Sequence, residues 1–188
     1  MASLGHVAVG LAAGRAFRGR RRRPMLAFAL LALAPDADVI GFRLGIPYAS
    51  PFGHRGSAHS LLFAGLLALT LATLGGRSSS PGEQSSPPRT GRLWWAGVTF
   101  AVVASHGLLD TLTDGGLGVA LLWPFSHARF FAPWRPIPVA PIGLALLSRR
   151  GLYVMLTELF LFAPCLMFAF WPAGRTGRNA ATDRPASG

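Results

Sequence analysis

The stretch Pro24-Met25-Leu26-Ala27-Phe28-Ala29-Leu30-Leu31-Ala32-Leu33-Ala34-Pro35-Asp36-Ala37-Asp38 decides the fold. It runs from Pro24 to Ala34 without a charge, meets a proline and two aspartates, and then turns apolar again as Val39-Ile40-Gly41-Phe42. Ionisable groups set in apolar sequence are costly unless they bind something or one another. The run reads as a helix that stops near Pro35. Crossing hydrocarbon takes about 20 residues, so it spans only if it continues through the aspartate pair. Otherwise it is a broken or partly inserted membrane helix.

Composition agrees with a membrane setting. Hydrophobic residues make up 51% of the 188 residues and charged residues 13%, with a mean hydropathy of +0.42. The charged share is about half the usual one. The 18 basic residues are all arginine, and the net charge is +11. They sit beside apolar runs and are not interleaved with aromatics. Membrane topology and anionic lipid head groups therefore explain the charge better than nucleic acid does. The one cysteine, Cys165, excludes a disulfide framework and a thiolate zinc cluster. Any metal site must use imidazole and carboxylate. The apolar stretch Leu4 to Ala13 precedes the basic run Arg20 to Arg23, the reverse of a secretory signal.

Five helices are predicted: Ser3 to Phe17, Pro24 to Ala34, Ser57 to Leu74, Leu93 to Leu112 and Gly151 to Trp171. Gly75 to Gly91 is rich in Ser, Pro and Gly and reads as a flexible loop. Repeated prolines between Gly115 and Leu147 argue against a long helix there. That segment reads as a folded loop, re-entrant or lying at the interface. The expected organisation is one all-helical membrane domain over residues 1–172, with four or five membrane-embedded helices, and a disordered polar tail over 173–188. If the chain starts outside and crosses five times, twelve arginines fall inside and six outside, in the sense of the positive-inside rule. A consequence not built into that count is that His6, Asp36, Asp38, His54, His59, His106 and Asp110 then meet at the outer side. Four crossings leave His6 apart.

These groups come mainly from three short segments. Asp36 and Asp38 repel each other unless a cation or proton intervenes; otherwise they end a helix and form an Asx turn. His54 and His59 bracket Arg55-Gly56-Ser57. There Gly56 permits a tight turn, Ser57 can cap the next helix, and the helix dipole favours a neutral His59. Arg55 can pair with a phosphate or carboxylate of a substrate. His106 and Asp110, four apart on a helix, share a face; the plain alternative is a buried histidine bonded to a carboxylate. Imidazole and carboxylate ligands suit zinc first, or manganese or iron. Seven ligands suit two ions, or one ion with supporting residues.

Plainer readings cover the rest. His127 reads as a loop residue, Asp114 as a turn cap, and Glu158 as a carboxylate paired inside the bundle with an arginine as candidate. The five tryptophans read as interfacial anchors. Thr111 and Thr113 either orient ligands or bond to helix carbonyls.

The order of an early His6, then Pro35-Asp36-Ala37-Asp38, then His54-Arg55-Gly56-Ser57-Ala58-His59-Ser60, then Ser105-His106-Gly107-Leu108-Leu109-Asp110-Thr111, resembles the family of LexA-binding, inner-membrane-associated metal-dependent hydrolases (YdjM-like). The similarity covers roughly residues 1–145 and includes Trp123 to Phe130. It implies a more distant likeness to zinc-dependent phospholipase C and P1-type nucleases, which are helical and hold His/Asp zinc clusters. It also implies that the same seven residues are ligands.

The expected function is metal-dependent hydrolysis of a phosphoester or lipid-linked substrate at the inner membrane through metal-activated water. The site would face the outer, periplasmic side. Asp36 or Asp38 would accept a proton, and Arg55 would hold substrate oxygens. The alternative is a non-enzymatic membrane protein with a structural metal site that binds a protein partner. A transporter ranks last, because the ionisable groups gather at one end and do not line the helices.

Overall fold

The computed structural model describes residues 3–18, 20–75 and 89–172. Most of the expected Gly75 to Gly91 loop, and the tail over 173–188, lie outside the described residues. The fold is all helical. Among the described residues there is no strand, only isolated bridges between Thr113 and Ile137 and between Val119 and Phe130.

Helix α1 spans Ser3–Arg18 and α2 spans Arg22–Leu33. They pack backbone to backbone because α1 presents glycine. A Cβ added at Gly10 would lie 2.5 Å from the Phe28 carbonyl oxygen, and one at Gly14 would lie 2.5 Å from Met25 Cα. Residues four apart share a helix face, the small-residue device of close helix pairs. The α2 helix tightens into a 3-10 turn over Ala34–Val39, then resumes as α3, Ile40–Arg43. Proline at the start of that turn has no N–H to give, so the helix changes its bonding there without ending.

Helix α4 spans Leu61–Gly75 and α5 spans Arg89–Thr111. Phe28 and Ala32 of α2 bury against Val98 and Val102 of α5. Ala64 of α4 buries against Val103 and Ala104, with Leu31 joining both clusters. Helices α6, Arg149–Leu161, and α7, Ala163–Phe170, complete the bundle. Ser148 caps α6 by accepting from the Gly151 N–H at 3.2 Å. Arg15 ties α1 to the far end of α7, donating to the Ala169 and Trp171 carbonyls at 3.2 and 2.6 Å. Residues 112–142 form no helix, in line with their prolines.

Two expectations change. The last apolar run is two helices bent by 62° at Phe162 and not one straight helix. Pro164 sits in the first turn of α7, where it has no N–H to carry the α6 ladder forward. The number of spanning helices also falls. By length and composition, one helix, Arg22–Arg43 with a mean hydropathy of 1.7, is long and apolar enough to cross, or two if the bent pair counts as one span. Four or five were expected. The apolar helices α1 and α4 are short, and α5 carries Arg92 near one end and His106 and Asp110 at the other.

Candidate metal centre

The site lies where the 3-10 turn of the α2–α3 helix, a second 3-10 turn over Ser57–His59, the start of α1 and the end of α5 meet. The structure brings all seven expected ligands together there. Local chemistry sets each element. Ser60 accepts from the Phe63 N–H at 3.1 Å and caps α4, so the cap is Ser60 and not Ser57. Arg55, not Gly56, takes the left-handed backbone, with φ of 62°. Gly56 is needed for space, since a Cβ there would lie 2.2 Å from the Pro51 carbonyl oxygen. Gly107 serves likewise on α5. A Cβ there would lie 2.5 Å from the His59 carbonyl oxygen, so glycine lets the His59 turn press onto α5.

At the centre, His59 Nε2 and His106 Nε2 face each other at 3.1 Å. His106 Nδ1 lies 2.7 Å from the Ala32 carbonyl oxygen. A carbonyl only accepts, so it fixes the proton on Nδ1 and leaves Nε2 a lone pair. His59 Nδ1 lies 3.1 Å from Asp38 Oδ2, which favours the same tautomer. Two lone pairs at this distance repel unless a proton or cation lies between them. Asp36 Oδ1 sits 3.4 Å from His106 Nε2 and 3.6 Å from His59 Nε2, and Asp110 Oδ2 sits 3.6 Å from His59 Nε2. All four side chains are buried. Their ligand atoms lie within 4.8 Å of one another. A tetrahedral ion with bonds of about 2.0–2.1 Å holds its ligand atoms roughly 3.3 Å apart.

Buried polar atoms without hydrogen bonds are costly. Neither oxygen of Asp36 and neither ring nitrogen of His6 makes one among the described residues. The residues therefore fit a divalent cation that would satisfy several of them at once.

The other expected ligands flank this core. His6 stacks on His106 with ring centroids 3.6 Å apart, and its Nε2 lies 3.4 Å from Asp110 Oδ1. Asp38 bonds His54 Nδ1 through Oδ1 at 2.7 Å and faces His59 through Oδ2. Asp38, His54 and His59 thus form a second group that shares His59 with the first. Burial opposes a charge on His59, but Asp36 and Asp38 beside it push its pKa up to about 9. This corrects the expectation of a neutral ring set by a helix dipole. The nearby carboxylates outweigh the dipole, and a cation must displace that proton.

Arg55 is fully buried. Its Nε lies 3.0 Å from Asp110 Oδ2, and its Nη1 donates to the Gly115 carbonyl at 2.8 Å. Its Nη2 has no hydrogen bond among the described residues.

Two supports were not identified in the sequence, and a third, Glu158, was expected to pair inside the bundle but with a different partner. Arg129 donates to backbone carbonyls of Tyr48, Ser50, His54 and Arg55 at 3.1–3.4 Å, binding the histidine loop to the 118–130 loop. The Ala32 carbonyl orients His106. Among the described residues Glu158 pairs with no arginine; its Oε2 accepts from the Leu4 and Gly5 N–H groups at 2.8 and 3.1 Å. It therefore fixes the start of α1 next to His6. Among these the only sequence signal was a carboxylate in an apolar helix. Asp114 accepts from the Val139 N–H at 2.7 Å. Thr111 and Thr113 bond to the Leu108 and Asp110 carbonyls. His127 is exposed and apart from the cluster.

Comparison with known proteins places the chain in a family. The chain belongs to the YdjM inner membrane protein family, which it matches over residues 1–176. It is 41% identical over 157 residues to Inner membrane protein YbcI of Escherichia coli (strain K12), a match covering 82% of this chain and 86% of that protein. No solved structure matches it. The chain is thus an inner membrane protein of this family, with a buried His/Asp cluster suited to a metal ion.

Proposed function

We propose that this member of the YdjM family is a multi-pass, metal-dependent hydrolase of phosphoesters, with its site at the outer, periplasmic face. The observation that carries the reading is the pair of facing Nε2 atoms, His59 and His106, framed by Asp36 and Asp110. His59, His106, Asp36 and Asp110 would hold the ion, and His6 stands ready against Asp110. Zinc suits this set best, and manganese or iron also fit. A divalent ion bound there supplies Lewis acidity and brings the pKa of water near neutrality.

The chain's own residues supply the rest. Asp38 holds the proton on His54 Nδ1 and leaves the other ring nitrogen to accept a proton from the attacking water. Its second oxygen steadies His59. Arg55 positions Asp110 through Nε and has Nη2 left for a substrate oxygen. The helical His/Asp arrangement is the feature that would be shared with zinc-dependent phospholipase C and P1-type nucleases. Four or five membrane-embedded helices remain part of this reading. The short α1 and α4 would be set into the bilayer against the spanning helix.

The test is a phosphoester panel run with and without chelator. His59→Ala and Asp110→Ala lose metal and turnover together in this account. Full activity in either variant would overturn it.

A second reading has its own support. His6, His106 and Asp110 are 0–1% exposed, which suits a structural ion that stiffens a platform for a protein partner, such as a repressor of the LexA kind. Retained metal with no turnover on any phosphoester would favour that reading.

A further inference from the structure

A groove of about 460 Å³ runs between α1 and α5. Val9, Ala13 and Phe17 line it from α1, and Trp94, Ala101 and Ser105 line it from α5. Apart from the Ser105 hydroxyl and the Trp94 indole, the side chains named are wholly apolar. Three details relate it to the metal centre. Val9 lies three residues after His6, and Val102, also in the groove, lies four before His106. Such spacings put residues on one helix face. Second, His6 and His106 stack across the same two helices, 3.6 Å apart, so the groove begins one turn from two candidate ligands. Third, its far end is marked by Phe17 and Trp94, packed edge to face at 5.7 Å.

From Ser105 to Leu93 the groove follows twelve residues of α5, about 18 Å of helix. One leaflet of hydrocarbon is about 15 Å deep. An apolar channel of leaflet length, in an inner membrane protein, has a hydrocarbon chain as its natural occupant.

We propose that the α1–α5 groove binds one acyl chain of a membrane phospholipid and brings that lipid's phosphate to the His/Asp centre. The phosphate end of this proposal rests on the hydrolase reading above. The acyl end does not. Phosphorus at the centre and hydrocarbon in the groove would make the substrate a lipid phosphoester and not a soluble one.

The structure also supplies the variants. A Cβ at Gly97 meets nothing within 4 Å, so a larger side chain there enters open space. Gly97→Leu and Ala101→Phe should fill the groove without disturbing the core. Full-length, metal-loaded protein in vesicles of phosphatidylethanolamine and phosphatidylglycerol is irradiated with a phosphatidic acid carrying a mid-chain diazirine, and labelled peptides are mapped by mass spectrometry. Labelling concentrated on residues 9–17 and 93–105, and about tenfold lower in both filled variants, supports the proposal. Even labelling over α1, α2 and α4, or labelling unchanged in both variants, overturns it. So does a detergent-stable dimer that dissociates in the same variants, since a second copy would then occupy the groove. Metal content and thermal unfolding identify a variant that fails to fold, and the second variant then decides. Phosphoester turnover is scored separately. Groove-specific labelling without turnover supports the acyl site and removes the hydrolase reading.

Discussion

Arg55 carries two costs at once. A non-glycine residue in the left-handed region is disfavoured by roughly 1–2 kcal/mol, and a buried guanidinium must be paired. Asp110, 3.0 Å away, supplies the pairing. Arg55→Ala should therefore destabilise the metal-free protein by about 3 kcal/mol, since the buried Asp110 carboxylate would lose its guanidinium partner and keep only its histidine neighbours. Excess divalent metal should restore part of that loss, and thermal unfolding with and without metal measures it. For the ligands, Asp38→Asn should lower metal affinity by about 10–100-fold, as supporting residues do. His106→Ala should lower it further.

His59 gives a pH dependence of definite sign. Its pKa is raised to about 9 in the metal-free site, and a cation must displace that proton. Metal affinity should rise by about tenfold per pH unit from roughly pH 6 to pH 8, as read by chelator competition. The same proton stabilises the metal-free fold fully below its unfolded pKa of about 6.5, and that stabilisation is lost as pH rises through about 9. An affinity flat with pH would show that His59 enters the site already neutral. At this scale the seven candidate residues were legible because imidazole and carboxylate are rare in this chain and conspicuous in apolar sequence. Arg129 was not legible. It acts through backbone carbonyls about 80 residues away, and no side-chain pattern announces that.

At the scale of elements, two glycines and one carboxylate set the site's geometry. Gly107→Ala puts a methyl 2.5 Å from the His59 carbonyl oxygen. The expected cost is about 1–3 kcal/mol of stability, together with weaker metal binding, because the His59 turn must move away from α5. Glu158→Gln removes a charged acceptor from the start of α1 and should cost about 1–3 kcal/mol, with His6 displaced. An unchanged melting temperature in Glu158→Gln would show that α1 is held by its glycine face alone. The helices themselves were readable, since Pro35, the Gly/Pro-rich loop and the apolar runs all punctuate the chain. Two features were missed. The Gly10/Gly14 face shows its purpose only when α2 is laid against it. The bend at Phe162 hides in a run whose hydropathy is continuous across Pro164.

For the whole molecule, the bundle gathers its described histidine–aspartate groups at one end and leaves large apolar side chains exposed along its helices. Convergence of the seven candidate residues was legible because each lies at or near a boundary of a predicted helix, and antiparallel neighbours bring such boundaries together. The number of spanning helices was not. Apolar composition alone does not distinguish a helix that crosses from a shorter one set partly into the bilayer. A residue on the loop beside the site, such as Ser50→Cys, should react with an impermeant thiol reagent from the periplasmic side of intact cells. Reaction only after permeabilising the inner membrane would reverse the orientation.

The central claim is that His59, His106, Asp36 and Asp110 form a cation site. Elemental analysis of detergent-purified protein, run beside His59→Ala, tests it most directly. The account predicts about one equivalent of a divalent transition metal, or two if the Asp38–His54–His59 group also fills, and loss of that metal in a folded His59→Ala. Folded wild-type protein that carries no such metal and takes none up when dialysed against zinc would contradict it.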